Sequence, residues 1–156
     1  MSGRLGAAGY PDPVPATDAD RELGFATASW GRRIVALFVD WIVSTLAVIG
    51  VVGLEDYSDT GNASGFIVLG VFVVESAVGT ALVGGSFGQV ATRLRVVPAD
   101  GSPRNVDPLR SLARQVLIAL VIPPLVYRPD GRGLHDIAAG SAVVTLETFR
   151  SVRGLA

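Results

Sequence analysis

Two apolar runs constrain this chain more than anything else in it. Residues 34–54 contain a single charge, Asp40, and residues 65–83 contain a single charge, Glu75. About twenty apolar residues at a helical rise of ~1.5 Å cross a hydrocarbon core of ~30 Å, so each run is expected to span a bilayer as a helix. Composition agrees. The 156 residues are 49% hydrophobic and only 17% charged, where a soluble domain carries about 25% charge. Too few polar side chains remain to coat a globule. The expected class is an all-α membrane protein, not a soluble enzyme.

Flanking residues set the expected orientation. Trp30 and Arg32/Arg33 precede the first run as interfacial anchors, and residues 55–64 hold Glu55, Asp56 and Asp59 with no arginine. Arg93, Arg95, Arg104, Arg110 and Arg114 follow the second run. Cytoplasmic segments carry the excess of basic residues, so the acidic loop is expected outside and the N-terminus in the cytoplasm of a bacterial inner membrane. Residues 1–27 include Tyr10-Pro11-Asp12-Pro13-Val14-Pro15 and read as a disordered tail with too little apolar surface to order itself. They contain no apolar run of signal-peptide type, so the first apolar helix is expected to remain as an anchor. Residues 28–146 form the membrane domain on this reading, and residues 147–156 a second tail.

A third hydrophobic segment, residues 112–127, starts with Arg114 and Gln115 and contains Pro123-Pro124. Its uninterrupted apolar part is too short for an ordinary crossing, and paired prolines favour a turn. Arginines stand on both sides of it. A hairpin that dips in and returns is the preferred reading, and a thin, tilted third crossing competes with it. Leu94-Arg95-Val96-Val97 and Ala142-Val143-Val144-Thr145-Leu146 read as strands. They can form a small cytoplasmic β-strand pair only if the third segment returns to the side it left.

Charges within spans cost about 2.5–3.5 kcal/mol each on insertion scales and mark functional sites by default. Asp40 is expected about 9 Å, and Glu75 about 12 Å, from the cytoplasmic edge, so antiparallel helices bring this intramembrane acidic pair to one depth. Arg33, Asp40 and Ser44 share a helix face, Gly79 lies one turn from Glu75, and Ser76 and Thr80 lie beside that stripe. Three readings stand open. One is a structural pair neutralised by Arg33 or by an arginine of the basic segment. Another is a proton or monovalent-cation site, because two carboxylates in low dielectric resist joint ionisation. Carboxylate catalysis is the third.

Arg128-Pro129-Asp130-Gly131-Arg132-Gly133-Leu134-His135-Asp136 is the other polar constellation. It reads as a cytoplasmic loop, with His135, Arg128 and Arg132, pinned by its own salt bridges or acting in gating or proton access. His135 is the only histidine and there is no cysteine, so no metal site, thiolate nucleophile or cofactor is expected. Gly84-Gly85-Ser86-Phe87-Gly88 lacks the preceding strand and the Gly-Lys-Ser/Thr ending of a phosphate loop. The net charge of −1 gives no reason to expect nucleic acid.

The ordered set consists of Arg33 and Asp40, Glu75 with the exit Gly85-Ser86-Phe87-Gly88, then Leu94-Arg95-Val96-Val97, then Leu134-His135-Asp136 leading into Val143-Val144. It resembles the RDD family of small bacterial membrane proteins from about residue 28 to residue 146. The resemblance implies that Arg33, Asp40 and Asp136 are the family's arginine and two aspartates, and it implies a transport role such as sodium/proton exchange. The family's exit usually carries Thr and a closing Lys where this chain has Ser86 and Gln89. The functional expectation is a small transporter or ion-translocating protein in the lipid bilayer. Two or three spans enclose no pore, so a homo-oligomer or another membrane protein would complete it. The alternative is a non-enzymatic accessory subunit that stabilises a partner.

Overall fold

The computed structural model describes residues 23–59, 62–120 and 131–154. Helix α1, Trp30–Val52, starts after Ser29 and ends at Gly53, whose φ of +90° suits a residue without a Cβ and lets its N–H reach the Ile49 carbonyl at 2.8 Å. A short α2, Leu54–Asp59, turns the chain, and α3, Asn62–Val83, packs back along α1. Among the described residues, these are the two helices long and apolar enough to cross a membrane. The short helix α4, Phe87–Ala91, then lies against α1 and leads into strand β1, Leu94–Pro98. Helix α5, Pro108–Ala119, packs on α3. The chain ends with α6, Leu134–Ala138, strand β2, Ser141–Thr145, and α7, Leu146–Val152.

The two spanning helices are built inside out. On α1 the buried positions are Arg33, Ala36, Asp40, Ser44 and Val48, a single stripe at helical spacing and mostly polar or small. Its outer face exposes Phe38 at 67% and Val51 at 87%. On α3 the buried stripe includes Ser64, Val68, Phe72, Ser76 and Thr80, while Phe66 is 74% and Leu82 73% exposed. The core helix of a soluble protein would bury the large apolar side chains instead. Exposed apolar faces of this extent belong against lipid.

At the end where α1 begins and α3 finishes, β1 and β2 pair antiparallel, from Leu94 opposite Thr145 to Pro98 opposite Ser141. Leu94, Val96 and Val143 bury against Ala28, Ala36 and Val106. Val97, Ala142 and Val144 bury on the other face, against Leu23, Phe25 and Phe149. Both outer edges are partly tied: Ala28 N–H donates to Val143 O at 2.8 Å, and Val96 N–H to Gly84 O at 2.7 Å.

Two boundaries differ from the sequence reading. Residues 23–27, expected to belong to a disordered tail, carry Leu23 and Phe25, which pack on the sheet; residues 1–22 lie outside the described residues. Residues 147–152, expected as part of a tail, join Leu146 in α7, because the Thr145 hydroxyl caps the helix at Thr148 N–H and Phe149 has an apolar face to cover. The third segment is described as far as residue 120. It begins earlier than its apolar run, at Pro108, because Asp107 caps Leu109 and Arg110 and proline suits the first helical turn.

Candidate functional site

The polar stripe of α1 meets three other parts of the chain, and each carboxylate or guanidinium on it has its own partner. Asp40 is 1% exposed. One of its oxygens accepts from the Ser86 hydroxyl at 2.6 Å and the other from the Gly88 N–H. The local sequence makes this possible. Ser86 and Gln89 form a reciprocal capping box on α4, with Ser86 N–H donating to Gln89 Oε1 at 3.0 Å. Gly88 allows contact: a Cβ there would stand 2.0 Å from the Ala36 carbonyl oxygen and 2.9 Å from Asp40 Cγ. Ser86 and Gln89 are thus the two halves of a helix cap.

Ser44 follows Asp40 by one turn and donates to Glu75 Oε2 at 3.3 Å. Glu75 is only partly buried, at the side of the α3 stripe. Asp40, Ser44 and Glu75 therefore form a short row between the two spanning helices, with Asp40 close enough to bear on the charge of Glu75. Gly79, expected to let two helices approach, serves a different approach. A Cβ there would lie 2.8 Å from the Gly85 carbonyl oxygen, so it admits the turn after α3. Ser76 and Thr80 both face inward; Gln115 Nε2 reaches the Thr80 hydroxyl at 3.4 Å, and Ser76 Oγ has no partner among the described residues.

Arg33 points to the sheet end of the molecule. Its guanidinium donates to Ala28 O at 3.1 Å, Val143 O at 3.2 Å and Asp136 Oδ2 at 3.1 Å. The other oxygen of Asp136 accepts from Arg114 Nε at 2.9 Å. Asp136 is 0% and Arg114 1% exposed, so a single carboxylate joins α1, α5 and α6 in the interior. Burial acts to raise the pKa of Asp136. The charges of Arg114, His135 and Arg33 and the hydrogen bond from Arg114 outweigh it, and the carboxyl is held below the usual carboxylate range.

Neutralisation of Asp40 by Arg33, one of the readings left open by the sequence, is therefore replaced by a different pairing. Arg33 pairs with Asp136, Asp40 is held by a hydroxyl and an amide, and Arg114 of the basic segment bears on Asp40 only at longer range. His135 is buried on α6, with Nε2 3.4 Å from Asp136 Oδ1, so neighbours in sequence do meet here. Gly133 permits this, since a Cβ on it would stand 2.4 Å from the imidazole ring. Arg132 is half-buried, and Arg128 lies outside the described residues. No group of three His, Cys, Asp or Glu able to hold a metal occurs among the described residues.

Sequence reasoning missed Arg114, Gln115, Ser86 and Gly88 as members of the site. A signal existed for the first two: Ser111, Arg114, Gln115 and Ile118 recur at helical spacing and form the buried face of α5. Against this geometry, the family model for the RDD family matches residues 27–140. No curated protein and no solved structure matches the chain.

Proposed function

This chain belongs to the RDD family, and from that premise we propose that it translocates a proton or monovalent cation, with Glu75 as the exchangeable carboxylate and Asp40 as the fixed one. The observation that carries this reading is the unequal environment of the two acids. Asp40 is enclosed and fully engaged by Ser86 and Gly88. Glu75 stands in the middle of a span, with the Ser44 hydroxyl and the Phe87 backbone N–H beside it, but it is only partly buried where Asp40 is enclosed. A carboxylate so placed is costly unless it binds a cation or a proton. Its open side faces the lipid or a second subunit, which fits a homo-oligomer or another membrane protein completing the path. The reading is non-enzymatic.

The same reading sets the sheet end in the cytoplasm of a bacterial cell membrane. Its support is the arginine count on that side and the acidic α2 on the other. The pairing of β1 with β2 supports a third segment that dips in and returns, because both of its flanks meet in one sheet.

An accessory-subunit reading has its own observation. The Arg33–Asp136–Arg114 cluster and the Asp40 contacts are internal bonds that hold elements together. Proton and sodium flux into vesicles containing the purified chain separates the two. Flux that disappears in Glu75→Gln, with the protein still inserted and folded, sustains translocation. Absence of flux from folded wild type across several cations, with Asp40→Asn lowering abundance or breaking a complex, establishes the accessory role.

A further inference from the structure

On the outer side of α1, away from Asp40, the first turn of that helix and the end of α4 enclose an open groove of about 560 Å³. Gly31, Arg32 and Val35 form one wall, and Ala91, Thr92 and Arg93 the other. Arg32 and Arg93 are exposed, and neither guanidinium has a hydrogen-bond or ion-pair partner among the described residues. Arg33, next in sequence to Arg32, is buried with three acceptors. The helix end between the two arginines is uncapped, because the Ser29 side chain makes no cap bond and no acid stands in the first turn. The groove is therefore electropositive, from two side chains and from the helix terminus.

Its floor is apolar and continues along the span. Val35 is 54% exposed, and Phe38, one turn deeper on the same face, belongs to the surface read above as lipid-facing. Arg93 adds a third observation. Its φ of +57° places it in the left-handed region, which any residue but glycine or asparagine adopts under strain. A glycine would end α4 with less strain.

We propose that this groove binds the phosphodiester headgroup of an anionic phospholipid, held between Arg32 and Arg93, with its acyl chains lying along Val35 and Phe38. The charge selects an anion, and the apolar floor running into the lipid-facing surface selects a lipid over a free phosphate or an acidic peptide. Basic pockets at this depth recognise such headgroups. The site lies on the opposite face of α1 from the acidic row and does not depend on the ion-translocation reading.

Native mass spectrometry of the purified full chain in detergent tests it, with phosphatidylglycerol and phosphatidylcholine of matched acyl chains as probes. Wild type is expected to retain phosphatidylglycerol preferentially. Arg32→Gln and Arg93→Gln are expected to weaken retention by about fivefold each and about thirtyfold together. Arg110→Gln, an exposed arginine outside the groove, is expected to change nothing. Arg93→Gly is expected to weaken retention about as much as Arg93→Gln while raising the melting temperature, since it removes the guanidinium and relieves the backbone together. Equal retention of the two lipids overturns the proposal. Undiminished binding in the double variant, or a loss in Arg110→Gln as large as in the groove variants, does the same.

Discussion

The spanning helices and the sheet that caps them obey opposite rules of burial. Along α1 and α3 the inward positions include Asp40, Ser44, Ser76 and Thr80, while Phe38, Val51, Phe66 and Leu82 point outward. In the cap the inward positions are Leu94, Val96, Val97, Ala142, Val143 and Val144. One chain thus contains an interior organised by hydrogen bonds and another organised by removal of apolar surface from water. The solvent explains the difference. Against lipid, apolar side chains gain nothing by turning inward, so packing and polar contacts hold the helices together. The seam between the regions is where Arg33, Arg114 and Asp136 meet, and it joins both.

The comparison is most easily broken at that seam. Asp136→Asn leaves two buried guanidiniums facing a neutral side chain and is expected to cost about 3–5 kcal/mol, measured by denaturant unfolding in micelles. The pH profile should change with it. The Asp136 carboxyl is depressed in the fold, so its contribution is complete above the ordinary aspartate value of ~3.9 and is lost progressively as pH falls from there to the lower folded value. Wild type is expected to lose stability steadily below that ordinary value, and the variant to lack this acid-driven loss.

A charge on the outer face of a span probes the lipid assignment directly. Leu46→Arg, at a 62% exposed position near the middle of the span, is expected to impair insertion by about 2.5–3.5 kcal/mol, read as the inserted fraction in a translation–membrane assay. Normal insertion would remove α1 from the bilayer. Methyl deletion then contrasts the two interiors at equal chemistry. Val144→Ala in the cap should destabilise by about 1–3 kcal/mol through lost burial and a cavity, whereas Val51→Ala, at an 87% exposed position, should leave unfolding in micelles unchanged. Equal losses would erase the distinction between the regions. Smallest of all is Arg104→Gln, which opens the exposed pair with Asp100 at 3.3 Å. No measurable change in the unfolding curve is expected.

Much of the architecture could be read from local pattern. The two spans follow from apolar runs of bilayer length, and the buried side of α1 from Arg33, Asp40 and Ser44 at helical spacing. Both strands follow from their valines. The start of α5 was equally present in Asp107-Pro108, but an apolar-run criterion looks past a helix whose buried face is Ser111, Arg114 and Gln115. What could not be read was pairing at long range. Arg33 and Asp40 lie on one face two turns apart, which suggests that they neutralise each other. The choice of Asp136 for one and of Ser86 and Gly88 for the other depends on how α4 and α6 dock. Gly88 shows the limit well. Its glycine signals a turn, whereas its purpose is to let α4 touch the backbone of α1.

The separation of 103 positions between Arg33 and Asp136 also imposes a schedule on synthesis. At roughly 5–20 residues per second, a ribosome completes Asp136 about 5–20 seconds after Arg33. Over that interval the first helix must enter the membrane with its arginine still waiting for a partner, held at the interface where a long cationic side chain can reach water. The last quarter of the chain then acts as a clasp that fastens helices already inserted. Nascent chains halted before residue 136 should accordingly be inserted but unfastened, exposed to the quality-control proteases that survey membranes for charges without counterparts.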